Sequence, residues 1–176
     1  MIVYFLRHAN AGQKRLSPVQ DEKRPLDKEG IEQCRYVGRM LNALDAHVDL
    51  ILSSPLKRAT QTASMVGNEI AYEQKIERSP SLGPGAAYEA FRELLHQAGG
   101  LEAVMVVGHN PNMSRFLSLL VTGGLSDRAI EMKKGSVARV EMGSKRSVLN
   151  WLVTPRLIKS AYTSTQVSSH PKTSAK

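Results

Sequence analysis

Two short, uninterrupted apolar runs constrain this chain most: Ile2–Leu6 at its start and Ala103–Val107 beyond its middle. Five residues are far too few to cross a membrane, and neither run alternates as a half-solvated strand would. Each therefore reads as a strand buried on both faces, which occurs in mostly parallel sheets with helices above and below. Each run also leads directly into an imidazole, Arg7-His8 after the first and Gly108-His109 after the second.

The sequence between and beyond these runs supplies the covering layers. A polar stretch, Asn10–Pro25, is sixteen residues long, and unpatterned connections of that length are often functional. Asp27 then caps a helix whose apolar positions, Ile31, Cys34, Val37 or Gly38, Leu41 and Leu44, recur at steps of three and four. Asp49–Ser53 is a second strand, and Pro55–Glu69 a helix with Pro55 at its first position. A short third strand falls within Tyr72–Ser79. Gly83–Gly85 turns the chain into a helix over Ala86–Ala98, ended by Gly99–Gly100. After Ala103–Val107, a helix reaches about Val121, and Ser136–Met142 and Val148–Val153 form a late antiparallel hairpin. The expected fold is α/β, in three layers (α/β/α), with a mostly parallel sheet.

At 176 residues, with 41% of them apolar, the chain is expected to form one domain over residues 1–155 with a core that needs no covalent staple. Its single cysteine, Cys34, excludes an intrachain disulfide and cysteine-rich zinc sites. The chain offers no membrane span and no signal-peptide core before Arg7, so a cytoplasmic protein is expected. Of the net charge of +8, half lies in residues 156–176, where Arg156, Lys159, Lys172 and Lys176 meet no acidic residue. That segment reads as a basic, flexible tail. The remaining excess suits an anionic substrate at least as well as nucleic acid, for which interleaved aromatics and a recognisable motif are lacking.

Three segments carry the chemistry, and each sits just past the carboxyl end of a strand. They are Arg7-His8, Ser53-Ser54-Pro55-Leu56-Lys57-Arg58 and His109-Asn110-Pro111. Ligands of open α/β sheets bind outside those strand ends, so the three are expected to meet in one crevice. Ser54-Pro55 and Asn110-Pro111 read as cap-plus-proline helix starts that aim free amides at an anion. Two guanidiniums and two imidazoles, with no carboxylate in these segments, describe a phosphate pocket. No nucleotide-binding glycine motif and no metal-ligand spacing appears, so neither cofactor nor metal is expected.

The sequence Leu6-Arg7-His8-Ala9-Asn10-Ala11, the segment Leu52 to Thr62 around Ser54 and Arg58, and Val107-Gly108-His109-Asn110-Pro111 together resemble the motifs of the histidine phosphatase superfamily, in the expected order. Arg24-Pro25-Leu26-Asp27-Lys28-Glu29-Gly30 is similar to the segment that opens that family's first helix. The resemblance implies a phosphoglycerate-mutase-like fold and a phosphatase that forms a phosphohistidine on His8. It implies that Arg7, Arg58 and His109 hold the phosphoryl oxygens, with Asn110 beside them, and that one His8 nitrogen donates to a backbone carbonyl so that the other is aimed. The small size, and Ala9 where most members have Gly, resemble the short bacterial branch of phosphohistidine phosphatases.

One departure bears on the substrate. Larger members place an acid after a strand or directly after the second histidine; here that position is Asn110, and Ser79–Gly85 holds no acid. An alkoxide leaves poorly without a proton, whereas an imidazole titrates near neutrality and leaves already protonated. Phosphohistidine on a protein is therefore the expected substrate. Asp21, Glu22 and Glu89 are candidate donors, and Arg24 either reaches the phosphate rim or ties down the long loop. A small-molecule phosphomonoesterase of the same superfamily is the alternative, and an idle phosphate-binding module a more distant one. Cys34 and Trp151 are expected in the core, and His47, His96 and His170 at the surface. A cysteine phosphatase is excluded, because Met40 stands where its arginine would be.

Overall fold

The computed structural model describes residues 1–14 and 17–167. Its strands are β1 (Ile2–Arg7), β2 (Leu50–Ser53), β3 (Glu77–Arg78), β4 (Ala103–Gly108), β5 (Val137–Met142) and β6 (Ser147–Val153). Its α-helices are α1 (Pro18–Glu22), α2 (Lys28–Ala43), α3 (Lys57–Glu69), α4 (Tyr88–Gln97), α5 (Asn112–Val121) and α6 (Pro155–Val167). Among the described residues the strands form one sheet in the order β3-β2-β4-β1-β5-β6. Pairing is parallel from β3 to β1, and β5 and β6 are antiparallel.

The two apolar runs are buried on both sides, as their composition requires. Tyr4 and Leu6 of β1, with Ala103, Met105 and Val107 of β4, face a core built with α2, α3 and α6. Val3 and Phe5, with Val104 and Val106, face the opposite core, where Phe91 of α4 stacks on Phe116 of α5 at 4.8 Å. Cys34 is 1% exposed in the first of these layers, and burial pushes its thiol up to about 12. Trp151 is half-buried and tilts against Tyr4. His47 and His96 are exposed on the molecule's flank, while His170 lies outside the described residues.

Three expectations need correction. Residues 10–25 are not wholly unpatterned, since α1 forms inside them with Pro18 at its start. The helices after β2 and β4 begin at Lys57 and Asn112, beyond the prolines, with Leu56 and Pro111 as their caps. Neither cap residue bonds a helix amide through its side chain. The stretch expected as a flexible tail is helical over residues 155–167, where Ile158 is 5% exposed and Lys159 reaches Glu32 on α2 at 3.0 Å; the rest of it, 168–176, lies outside the described residues. The segment looked unpatterned because α6 lies on the surface and turns few side chains inward. Among the described residues, no helix is long and apolar enough to cross a membrane.

Candidate active site

Neighbouring parallel strands lie about 4.8 Å apart, so consecutive strand ends put their next residues in contact. Here the ends of β2, β4 and β1 are three neighbours. The His8 amide donates to the Gly108 carbonyl at 2.9 Å, and the Ser54 amide to the Val107 carbonyl at 2.9 Å. This ladder brings the rings of His8 and His109 to 4.8 Å, tilted by 53°. Gly108 is small for a reason: a Cβ there would come within 2.7 Å of Met113 Sδ.

Arg7, His8, Arg58, His109 and Asn110 line a single cleft of about 660 Å³. The convergence expected from three separate strand ends is therefore present. Arg24 is there too. It lines the cleft, and its guanidinium bonds the Ala11 and Gly12 carbonyls as well as Asp21.

The two imidazoles are held differently. His8 Nδ1 is 2.8 Å from the Ala9 carbonyl, a pairing that puts its proton there and leaves Nε2 as the bare nitrogen. His109 Nε2 lies 2.8 Å from Ser54 Oγ, and its buried Nδ1 has no partner among the described residues. Burial, above all, and then the charges of Arg58, Arg7 and Arg24 hold His8 down at about 4, although the Ala9 carbonyl works the other way. Burial and the neighbouring His8, Arg58, Arg24 and Arg7 push His109 lower still, to about 2. Both rings are therefore neutral at pH 7.

Arg58 is buried and Arg7 half-buried, and neither guanidinium is saturated. Arg7 Nη1 donates to the Met132 carbonyl at 2.7 Å, and Arg58 Nη1 to the Asp21 carbonyl at 2.8 Å. Asp21 also sends a carboxylate oxygen to each of two arginines, Arg24 at 2.9 Å and Arg58 at 3.3 Å. The buried Nε of Arg7 and that of Arg58 have no acceptor among the described residues. Burial lowers both guanidiniums, yet from so high a value that they stay charged.

Of the three candidate acids, Asp21 is committed to arginines and Glu22 stands on the cleft wall. Glu89 is not brought to the site. Helix α4 turns Phe91 and Leu95 to the sheet, which leaves Glu89 exposed and outside the cleft lining. Asn110 does not simply cap α5 beside the anion. Its Oδ1 takes both the amide and the hydroxyl of Ser114, and its Nδ2 donates to the Met132 carbonyl.

Other participants were not legible as such. Thr62 accepts the Ala9 amide at 3.1 Å and donates to the Arg58 carbonyl at 2.7 Å, so one buried hydroxyl ties the loop after His8 to α3. Gly30 allows the Asn10 backbone to lie on α2, since a Cβ there would sit 1.9 Å from its carbonyl oxygen. The Met132 carbonyl holds both Arg7 and Asn110, from a stretch between Gly124 and Ser136 that contains no regular element. The one available signal was that stretch's length, the same kind of signal that marked residues 10–25.

Fold and site together define a class, an α/β protein with paired histidines and arginines at adjoining strand ends. Residues 3–82 match the family model described as histidine phosphatase superfamily (branch 1). The phosphohistidine phosphatase SixA of Escherichia coli K12 is 27% identical over 92% of this chain and 98% of its own length. An uncharacterised protein of Mycobacterium tuberculosis is 30% identical over 71% of this chain and 75% of its own. A solved structure of the protein histidine phosphatase SixA with tungstate superposes with a TM-score of 0.80 at 24% identity, covering 90% of this chain and 99% of that one. The chain belongs to the histidine phosphatase superfamily, branch 1, with the phosphoglycerate-mutase-like fold. Within it the chain is a SixA-like phosphatase of the short kind, a hydrolase.

Proposed function

We propose that this phosphatase removes the phosphoryl group from phosphohistidine on a protein, through a phosphohistidine formed on His8. The observation that carries the reading is the pair of imidazoles, 4.8 Å apart, set among buried arginine N–H groups that lack acceptors among the described residues. Unpaired buried donors are costly, and a phosphoryl group brings the oxygens they lack.

In this reading His8 Nε2 attacks phosphorus while Nδ1 stays on the Ala9 carbonyl. The new N–P bond forms as the substrate's N–P bond breaks, and the bonding pair leaves with the substrate imidazole. Arg7, Arg58 and His109 hold the oxygens, and Asn110 lines the wall. Ser54 donating to His109 Nε2 keeps that ring's proton on Nδ1, the atom without a partner. Water then attacks phosphorus: a P–O bond forms as the His8 N–P bond breaks, the bonding pair returns to Nε2, water's protons leave on the phosphate, and His8 is neutral again. The work is positioning and charge, and every group named belongs to the chain. Among the described residues, no set of three or more His, Cys, Asp or Glu is grouped to hold a metal ion. We place the protein in the cytoplasm, where the lone Cys34 stays reduced.

The substrate follows from the acids. Asp21 is bound to two arginines, leaving exposed Glu22 as the cleft's other carboxyl. An imidazole leaving group needs no proton donor, whereas an alkoxide does. Glu22 is also the observation that favours the second reading, a small-molecule phosphomonoesterase. Turnover of a phosphohistidine protein compared with that of sugar phosphates decides between them; faster hydrolysis of the esters overturns the first. Brief exposure to ³²P-labelled substrate should leave acid-labile, alkali-stable label on His8, and its absence would sink the covalent mechanism.

A further inference from the structure

A second, larger groove of about 870 Å³ adjoins the catalytic cleft, and Arg7 and Lys134 line both. Its walls come from α2, from the irregular stretch before β5 and from the first turns of α6. Resting on the phosphatase reading above, we propose that this groove docks an acidic segment of the phosphorylated protein, next to the phosphohistidine being hydrolysed.

The argument is one of which charges are already answered. Glu29 accepts from Asn10 Nδ2 and from Gln33 Nε2. Glu32 is paired with Lys159, and Glu131 with Lys133. Of the remaining cations, Arg7 belongs to the catalytic cleft, and no such carboxylate meets the two exposed ones. Lys134 reaches the amide oxygen of Asn10 at 2.6 Å, and the Arg156 guanidinium has no ion pair among the described residues. The groove's unanswered charge is thus positive. One of its sources, Lys134, overlooks the catalytic cleft, and the other, Arg156, belongs to the groove alone. A polyanion with a charge on every unit, such as nucleic acid, would also meet Glu29, Glu32 and Glu131. A polypeptide can place carboxylates at Lys134 and Arg156 and amide donors at the glutamates. Complementary charge of this kind selects partners and speeds encounter more than it adds raw affinity.

The test uses the full chain, two phosphohistidine peptides of equal length and free phosphoramidate. One peptide carries aspartates and glutamates flanking the phosphohistidine; the other carries lysines at the same positions. The acidic peptide should show a KM lower by about tenfold, and the difference should shrink in about 0.5 M salt, where exposed charges are screened. Arg156→Glu should bring the two KM values together while leaving phosphoramidate turnover unchanged. Equal KM values in the parent, a preference that Arg156→Glu leaves intact, or stronger competition by single-stranded DNA than by the acidic peptide would overturn the docking proposal alone. Failure to turn over phosphoramidate and both peptides would overturn the phosphatase reading beneath it.

Discussion

The ends of β1 and β4 lie side by side and present the same residue type, yet they hold their imidazoles in opposite senses. His8 is anchored by Nδ1 to a backbone carbonyl one residue away. His109 is held by Nε2 to a serine hydroxyl on a third strand end. The first arrangement is local and leaves a bare Nε2; the second depends on β2 and leaves Nδ1 without a partner among the described residues. Burial and shared arginine charge keep both rings neutral, so the division of labour comes from which nitrogen each neighbour occupies, not from a difference in charge state.

Replacing the rings in turn is the strongest way to break this comparison. His8→Ala should lower turnover by at least about 10⁴-fold and abolish the labelled enzyme, because the covalent route itself is removed. Steady-state rates and acid-quench labelling check it, with circular dichroism to confirm the fold. His109→Gln should cost about 10²–10³-fold in kcat, the scale for losing one oriented donor, while label still accumulates on His8. If the two variants lost label equally, the rings would not have separate roles.

A subtler lever is Thr62, which ties the Ala9 amide beside His8 to the Arg58 carbonyl. Thr62→Val leaves the buried Ala9 amide without its acceptor, an expected loss of about 1–3 kcal/mol in urea unfolding. Because Ala9 also holds His8 Nδ1, kcat should fall with it, and Thr62→Ser should restore both.

The smallest effect expected is on the pH dependence of stability. Each ring titrates near 6.5 when unfolded, and His8 at about 4 in the folded protein, so the unfolded chain binds more protons between those values. The stability that the neutral rings contribute is complete above pH 6.5 and declines as pH falls toward 4. Urea midpoints measured at pH 7 and pH 4.5 should differ more for the parent than for a His8→Ala, His109→Gln double variant. Equal slopes would mean that the rings are not held neutral by burial.

Much of this was readable from the chain. β1, β2, β4, β5 and β6 were expected within a residue of where they lie, most plainly β1 and β4, where burial on both faces leaves an unbroken apolar run; the exposed β3 was placed only within Tyr72–Ser79. The convergence of Arg7, His8, Arg58 and His109 followed from their places at strand ends. Ser54 and Thr62 lay in a segment already singled out, Ser54 as a helix cap, but their bonds to His109 and Ala9, and the part of Met132, were not readable, for a common reason. Each acts through a hydrogen bond to a residue distant in sequence or through a backbone carbonyl, and neither leaves a pattern in composition or period. Glu89 illustrates the reverse error: an acid in a suitable segment, carried away from the cleft by the face its helix had to bury.

What the sequence by itself determined is the layered sheet and the identity of the groups that can meet at its edge, since apolar patterning sets which strands are central and where they end. Only the tertiary structure decided which nitrogen of each histidine is occupied, which arginine is tied to Asp21, and that residues 155–167 belong to the packed domain. Those outcomes depend on contacts of a few ångströms between distant segments, and such contacts exist only once the sheet has brought the segments together.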